Sequence, residues 1–257
     1  TAVKEGVKPI IGIEAYVTPE TARQDQTRVS WDTNWNPDID PQHRRRNPND
    51  VSGGGLITHL TMWAETDEGL VNLMKASTDA NLEGRVMRYP RMYKEILAKY
   101  SKGIIASSGC PSGIIQTRLL LGQFDEALRA AGELQDIFGR DNFYIEFMDH
   151  GLKIEKQVTD GLLDIAKKLN APLLATNDSH YVRAEDAGSQ DAMLCINSGS
   201  TLDEPGRFKF DGTGYYLKSA EEMRELFKDI PEACDNTLEI AERCNVMFDD
   251  HEDGAFM

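Results

Sequence analysis

The chain has 257 residues, 40% of them hydrophobic, which is enough for a sizeable core and too many for a disordered chain. It carries 28 Lys and Arg against 43 Asp and Glu, a net charge of −15, which argues against a stand-alone module that grips nucleic acid through a broad basic face. No apolar run approaches the ~20 residues of a membrane helix, and no signal segment opens the chain. We therefore expect a cytoplasmic protein that does not enter a membrane.

Hydrophobic patterning predicts strands that alternate with helices along the chain. The predicted strands are 10–17, 56–64, 103–108, 142–148 and 172–176. The predicted helices are 66–80, 89–99, one or two within 111–138, 154–169, 185–196, 220–227 and 231–244. This alternation predicts parallel strands joined by helical crossovers, in an open sheet or a barrel.

A long polar segment, 18–55, separates the first two predicted strands. It contains Trp31, Trp35 and the arginine run 44–46. Loops of this length are uncommon in compact domains and are usually functional or mobile. We expect the arginine run to be a solvated part of this loop.

The four cysteines and the two chain ends indicate the setting of the protein. Cys110, Cys195, Cys234 and Cys244 show no C-x-x-C spacing, so neither a zinc ribbon nor a disulfide framework is indicated. We expect reduced thiols, the last three in core or boundary positions of helical segments. The chain opens without Met and ends in acidic and small residues, from which we expect a fragment of a longer protein.

Side chains with metal-ligand chemistry lie close to the predicted strand ends, where parallel sheets and barrels gather their functional groups. They are Glu14, His59, Cys110, Asp178 and His180. A mixed set of nitrogen, oxygen and sulfur donors suits Zn²⁺ better than Mg²⁺. Asp178 and His180 are alternate residues of an extended segment, so both can point toward one cation.

Each of these residues also has a purely structural explanation. His59 alone fits a core histidine, Cys110 a small buried residue at a helix start, and Asp178 a turn cap. Glu14 is harder to explain in this way, because a carboxylate buried in an apolar strand needs a partner or a metal. Taken together, the five residues favour a site.

Two further hypotheses concern single residues. His150 and Tyr181 are candidates for contact with substrate, although a loop histidine beside the turn residue Gly151 is the structural alternative. Cys110 at a helix start can also be a phosphatase nucleophile. Such enzymes place an arginine six residues after the cysteine, where this chain has Gln116, which argues against that chemistry.

Several segments resemble, in the same order, the polymerase and histidinol phosphatase (PHP) domain of bacterial DNA polymerase III alpha subunits. They are KPIIGIEAY at 8–16, HLTMWA at 59–64, GCPSG at 109–113, ATNDSHY at 175–181, and RFKF at 207–210 followed by YYLKS at 215–219. The resemblance covers nearly the whole chain, is weakest in 18–55, and is similar in style to actinobacterial members. It implies a distorted seven-stranded β/α (TIM-like) barrel over 1–206 and, over 207–257, a helical segment that leads toward the polymerase palm.

The resemblance also implies a function. In the family, a multi-metal Zn²⁺ cluster at the mouth of the barrel removes the 3′-terminal nucleotide of DNA, so the parent DNA-directed DNA polymerase carries a 3′–5′ proofreading exonuclease. Glu14, His59, Cys110, Asp178 and His180 match metal-ligand positions, and a metal-bound water is the expected nucleophile. The implied partners are the primer 3′ end, the rest of the polymerase chain, the sliding clamp and other replisome subunits, with Mg²⁺ at a polymerase site outside this chain.

The chain departs from the family pattern at its beginning. The opening His-x-His and Thr-Asp-His-Gly motifs do not occur in it, so we expect it to lack the first barrel strands, to hold an incomplete metal cluster and to be inactive alone. Two alternatives remain: a stand-alone phosphoesterase acting on a small phosphate ester, and a structural module that braces the polymerase or docks a proofreading subunit. The segment 207–257 argues against the first, and the five ligand-type residues argue against the second.

Overall fold

A computed structural model describes residues 2–33 and 50–247, so that Trp35 and the arginine run 44–46 lie outside the described residues. The strands are β1 (Gly12–Val17), β2 (Thr58–Ala64), β3 (Arg85–Val86), β4 (Tyr89–Met92), β5 (Ile104–Ser107), β6 (Phe143–Phe147) and β7 (Leu173–Ala175). The helices are α1 (Ser52–Gly55, a single turn), α2 (Asp67–Glu83), α3 (Lys94–Lys99), α4 (Ile114–Leu120), α5 (Phe124–Phe138), α6 (Lys153–Leu169), α7 (Ala187–Ser198), α8 (Ala220–Leu226) and α9 (Pro231–Arg243). Short 3-10 turns cover Ala2–Glu5, Arg140–Asn142 and Ala184–Asp186.

Capping residues set the ends of several helices. The Thr66 hydroxyl accepts a hydrogen bond from the Gly69 amide at the start of α2, and Ser219 caps α8 in the same way. Pro231 opens α9, where its missing amide proton costs nothing. Asn170 ends α6 in a left-handed conformation. The predicted helices are therefore confirmed to within a few residues, with one exception.

The exception is the helix predicted over 89–99. Its first part is strand β4, which pairs with β1 and β3, and only Lys94–Lys99 is helical. Arg91 of β4 is fully buried, and its guanidinium donates to the carbonyl oxygens of Leu56 and Asp25 at 3.3 and 2.8 Å. These contacts with distant parts of the chain hold the segment extended. They cannot be predicted from the local pattern of hydrophobic residues.

The seven strands form one mixed sheet in the order β3-β4-β1-β2-β5-β6-β7. The α/β class and the seven-stranded sheet agree with the expected TIM-like barrel architecture. The prediction that the strands are parallel is wrong for two pairs, because β2 runs antiparallel to both β1 and β5. The strands β3 and β4, which were not predicted, also form an antiparallel pair. An antiparallel pair such as β1 and β2 does not need the helical crossover that parallel neighbours require. The strands β5, β6 and β7 are parallel, as expected.

The main core lies between the sheet and the helices α2, α5 and α6. β5 and β6 are buried along their whole length, which explains why both are nearly continuous apolar runs. Phe143, Ile145 and Ile104 are at most 2% exposed, and full burial of such a side chain contributes about 1.5–3 kcal/mol. The exceptions are Ser107 and Glu146, two buried polar residues near the C-terminal ends of β5 and β6.

Both described ends of the segment 18–55 are attached to the body of the domain. The guanidinium of Arg118 stacks over the Trp31 ring at 3.8 Å, and Gln123 donates to the Trp31 carbonyl oxygen. The buried carboxylate of Asp50 accepts hydrogen bonds from the amides of Trp31 and Val51 at 3.0 and 2.7 Å. The two arms of the segment are therefore fixed where they leave and rejoin the sheet.

The structure shows where the four cysteines lie and how long the helices are. All four cysteines are free thiols, and Cys195, Cys234 and Cys244 are buried within a helix or at its end, as predicted. None of the helices in 2–33 and 50–247 combines the length and the apolar character that crossing a bilayer requires.

Candidate metal centre

Three of the five predicted ligand residues come together toward one end of the central strands β1, β2 and β5. The Nδ1 atom of His59 lies 2.7 Å from Oε1 of Glu14 and 3.3 Å from Sγ of Cys110. The thiol of Cys110 is 3.6 Å from the same carboxylate oxygen. Each residue thus offers one donor atom within 4.8 Å of the other two, a spacing that one cation can bridge.

Antiparallel pairing explains how Glu14 and His59 meet. His59 lies directly opposite Tyr16, and Glu14 opposite Thr61, so the two candidate ligands are diagonal neighbours on one face of the β1–β2 pair. The expectation that both lie near strand ends of a parallel sheet is wrong. His59 is the second residue of β2. The first residues of β2 pair with the last residues of β1, because the two strands run in opposite directions.

A tight turn after β5 brings Cys110 to the same place. The amide of His59 donates to the Ser112 carbonyl oxygen at 3.1 Å, which fastens the turn to the start of β2. Gly109 has a φ of +80°, and a Cβ atom there would lie 3.0 Å from the carbonyl oxygen of His59. The turn therefore requires glycine at this position, both for its left-handed backbone and for its close approach to β2.

Glu146, near the end of β6, is a residue that the sequence analysis missed. Its side chain is buried, and its carboxylate accepts hydrogen bonds from the Ser107 hydroxyl, from the Gly109 amide at 3.1 Å and from the Thr176 hydroxyl at 2.5 Å. It therefore ties the turn that carries Cys110 to the segment that carries Asp178. The sequence does contain a signal for Glu146: a carboxylate inside the apolar run Phe143–Phe147 needs a partner, which is the argument that was made for Glu14.

Asp178 and His180 lie on the loop that follows β7, and both side chains are 33% exposed. They are not part of the three-residue cluster, but their charges act on it: His180 lowers the pKa of Glu14, and Glu14 raises that of Asp178. Asp178 has a φ of +43°, a left-handed conformation that aspartate tolerates better than most residues. Nδ1 of His180 lies 2.6 Å from the Asp178 carbonyl oxygen, which leaves Nε2 as the outward-facing nitrogen.

The loop after β7 is held by a distant part of the chain, the segment 214–218. The amide of His180 donates to the Tyr215 carbonyl oxygen at 2.8 Å. Asn177 donates to the Tyr216 carbonyl oxygen at 2.6 Å and accepts from the Lys218 ammonium at 2.7 Å. The position of Asp178 and His180 thus depends on residues almost forty positions further along the chain.

The electrostatics of the cluster favour a bound cation. The hydrogen bond from His59 lowers the pKa of Glu14, so this carboxylate is ionised at neutral pH. Burial and the charge of Glu14 raise the pKa of the Cys110 thiol well above its usual range. Burial also raises the pKa of Asp178. A thiol in this setting ionises when a cation takes the place of its proton.

The donor set fits a divalent, borderline-soft cation, since it combines an imidazole nitrogen, a carboxylate oxygen and a thiol sulfur. The premise that Glu14 is buried is wrong, because its side chain is 48% exposed. That exposure is compatible with a ligand at the mouth of a site. It also means that burial cannot be the reason for a carboxylate at this position.

The two residues predicted to contact substrate occupy different surroundings. The ring of His150 is 1% exposed, and its two nitrogens lie 2.5 Å from Oε1 of Glu155 and 2.7 Å from the Asn177 carbonyl oxygen. The ring also stacks on Tyr215 at a centroid distance of 4.1 Å. Tyr181 follows His180, and its buried hydroxyl has no hydrogen-bond partner among the described residues.

Comparison with known proteins adds independent information. The model of the PHP domain family matches residues 1–150. The DNA polymerase III alpha subunit of Mycobacterium tuberculosis H37Rv is 52% identical over 244 residues, or 95% of this chain and 20% of that protein. The corresponding subunits of Saccharopolyspora erythraea and Borreliella burgdorferi are 54% and 37% identical, over 94% and 95% of this chain. The chain spans about a fifth of the length of these relatives.

The fold and the cluster define an α/β domain with a candidate metal centre toward one end of the central strands of a mixed sheet. The chain belongs to the PHP domain family, whose model covers more than half of its residues. Glu14, His59 and Cys110 lie within the matched residues. Asp178 and His180 lie outside them, but within a chain that aligns with its polymerase relatives over almost its whole length.

Proposed function

We propose that this chain is the metal-dependent phosphoesterase region of a replicative DNA polymerase III alpha subunit and that it removes nucleotides from the 3′ end of DNA. The observation that carries the proposal is the convergence of His59, Glu14 and Cys110 on one point, with Asp178 and His180 close by. A purely structural domain has no need for three metal-type donors at hydrogen-bond distance.

The cofactor we propose is Zn²⁺, held by His59 Nδ1, a Glu14 oxygen and the Cys110 thiolate, with Asp178 and His180 completing the site. Mixed nitrogen, oxygen and sulfur donors are typical of zinc sites. When bound, the metal supplies an acidified water and a positive charge that offsets the charge of the phosphate. Because the reacting phosphate meets cations, the acidic composition of the chain is compatible with a DNA substrate.

The chain's own residues contribute orientation and proton control. Without metal, the ionised Glu14 holds the His59 imidazole in one orientation through Nδ1, and the Nδ1 proton must leave before this nitrogen can bind a cation. The hydrogen bond from His180 Nδ1 to the Asp178 carbonyl oxygen fixes the tautomer that leaves Nε2 free to bind. Glu146 keeps the Cys110 turn and the Thr176 segment in one arrangement. No protein nucleophile is needed.

In the whole subunit, the proposed partners are the primer 3′ end, the rest of the polymerase chain, the sliding clamp and other replisome proteins. The polymerase reaction itself would take place at an Mg²⁺ site outside these 257 residues. The alternative is a domain that braces the polymerase or docks a separate proofreading subunit. The segment 214–218 is consistent with both roles, because it joins the ligand loop to the C-terminal helices.

The experiment is the substitution Asp178→Asn in the full-length subunit that we assign to this chain. The isosteric amide removes a charge that a cation requires and leaves the loop geometry intact. We expect loss of 3′–5′ exonuclease activity on a labelled primer, while primer extension with the same protein continues. Unchanged exonuclease activity would rule out the assignment. Absence of activity and of bound zinc in the parent would favour the structural alternative.

A further inference from the structure

A cavity of about 290 Å³ lies beside the predicted ligand His180. It is lined by α7 and by residues on either side of Asp211, and the lining includes Tyr181, Gln190, Asp191, Lys209, Phe210 and Thr213. The cavity is several times larger than the ~30 Å³ that one water molecule occupies in the liquid. It therefore has room for an organic group.

Phe210 connects this cavity with the candidate metal centre. Its ring packs edge-on against the His180 imidazole at a centroid distance of 4.5 Å and stacks on Tyr215 at 4.7 Å. A molecule in the cavity is thus one aromatic ring away from a predicted metal ligand. In a nucleotide, the base is likewise separated from its phosphate by a single sugar.

The Tyr181 side chain belongs to an ordered part of the cavity wall, and its hydroxyl is buried behind the surface of that wall. This hydroxyl is buried and has no partner among the residues that the structure describes, a state that is rare because it leaves a desolvated group unsatisfied. Two hydrogen bonds fix the backbone of Tyr181. Its amide donates to the Tyr215 carbonyl oxygen, and its carbonyl oxygen accepts from the Leu217 amide. The hydroxyl is therefore placed by an ordered segment.

The rim of the cavity has the composition of a stacking surface. Phe208 is 64% exposed, its ring lies 5.7 Å from that of Phe210, and Lys209 stands between them in the sequence. Exposed aromatic rings beside a cation are typical of surfaces that stack single-stranded bases and contact their phosphates. Asp191, the acidic residue of the lining, is engaged by Arg207 at 2.5 and 2.6 Å, so its charge is offset.

We propose that the cavity and the residues 208–210 form a nucleobase subsite for the terminal base of single-stranded DNA. Phe208 and Phe210 stack on bases, and Lys209 meets a backbone phosphate. This inference rests on the proposed function, in which the phosphate of the same nucleotide meets the metal. It adds the group that recognises the end of the strand.

The test uses a 5′-fluorescein-labelled single-stranded dT decamer and the same decamer with an abasic 3′-terminal nucleotide. Binding to the 257-residue chain is followed by fluorescence anisotropy at low salt in EDTA, which prevents cleavage. We expect the complete decamer to bind about tenfold more tightly, as the loss of one stacked base implies. Phe210→Ala should remove this difference, and Phe208→Ala should reduce it about threefold.

Leu217→Ala is the matched control, because Leu217 is an apolar side chain of the same segment, 66% exposed and outside the cavity. It should keep the full difference between the two decamers. If Phe210→Ala lowers the melting temperature strongly, the test relies on Phe208→Ala, because the Phe208 side chain is 64% exposed and its truncation should leave the fold intact. Equal affinity of the parent chain for both decamers, or binding of neither, would overturn the subsite. A parent chain that distinguishes the two decamers, in a subunit that neither binds zinc nor has exonuclease activity, would support the subsite but contradict the proposed function.

Discussion

The two halves of the candidate metal centre are positioned in different ways. The sheet half (Glu14, His59 and Cys110) is fixed by the register of β1 and β2 and by a turn fastened to β2. The loop half (Asp178 and His180) lies after β7 and is fixed by hydrogen bonds to the segment 214–218. The geometry of the sheet half therefore follows from strand pairing, whereas that of the loop half depends on a remote part of the chain.

This difference has an energetic consequence. The donors of the sheet half are already 2.7 to 3.6 Å apart, so a cation meets a preformed site and little ordering is needed. The loop half is one-third exposed and has Asp178 in a left-handed conformation. We infer that the sheet half contributes most of the affinity for the metal and that the loop half adjusts its position and access.

The largest expected effect is that of His59→Ala. His59 lies closest to both other donors of the cluster, so its loss should weaken zinc binding more than 100-fold, as the loss of a direct metal ligand generally does. His180→Ala should weaken it about tenfold, because the loop half adds to a site that the sheet half already forms; this is the size of effect known for residues that support a metal site. Competition titration with a zinc-sensitive dye measures both, and a larger effect of His180→Ala would reverse the comparison.

The next effect concerns Glu146, which links the two halves. Glu146→Gln keeps the shape of the side chain but replaces one acceptor oxygen with a donor, so the Thr176 hydroxyl must accept instead of donate and the link between the two segments changes. We expect about tenfold weaker zinc binding with a nearly unchanged fold.

Asp50→Asn is the control for this substitution, since Asp50 is also a buried carboxylate that accepts two amides but has no contact with the candidate ligands. It should leave zinc binding unchanged. Equal zinc affinity of Glu146→Gln and the parent would show that Glu146 serves the core alone.

A third prediction concerns stability near the loop half, at the buried pair of His150 and Glu155. Burial opposes charge on both groups, but their hydrogen bond outweighs it, so the pKa of His150 is raised and that of Glu155 is lowered. The His150 contribution is fully present below its unfolded pKa of ~6.5 and is lost as pH rises through the raised value. The Glu155 contribution is present above its unfolded pKa of ~4.3 and is lost as pH falls through the lowered value.

Both contributions are therefore present at pH 6. There, Glu155→Gln should reduce the free energy of unfolding by about 3 kcal/mol, because it breaks a buried pair. The difference from the parent should shrink between pH 6 and pH 9. Urea unfolding at several pH values measures this, and a difference that does not change with pH would show that the pair is not ionised.

The smallest effect is expected at Lys218, which holds Asn177 from outside the loop. Lys218→Met keeps much of the side-chain volume but removes the ammonium. Zinc affinity should fall about threefold, because only part of the ~1.5–3 kcal/mol of a hydrogen bond to a charged donor reaches the metal site, while the sheet half is unaffected. A tenfold or larger loss would mean that the loop half matters more than we infer.

Much of the fold was predictable from local patterns, since β5, β6 and the long helices are clear in the sequence. Strand direction was not, because hydrophobic periodicity is the same in parallel and antiparallel pairs. β4 was missed because it contains Pro90 and an arginine, Arg91, whose burial depends on carbonyl groups elsewhere in the chain.

The candidate site shows a similar division. Ligand chemistry and the family resemblance selected five residues, and the structure brings three of them together. The argument from burial, however, was applied to Glu14, which is half exposed, and not to Glu146, which is 3% exposed. Sequence alone does not tell which acidic residue of a strand faces the core when both of its faces are largely apolar.

The most direct measurement of the central claim is the absorption spectrum of the Co²⁺-loaded chain, with and without Cys110→Ser. Cobalt replaces zinc in such sites, and a thiolate ligand gives it an intense near-ultraviolet charge-transfer band. We expect this band in the parent and its loss in Cys110→Ser, with the weaker visible bands retained. A parent spectrum without the band would show that Cys110 does not bind the metal and would contradict the proposed centre.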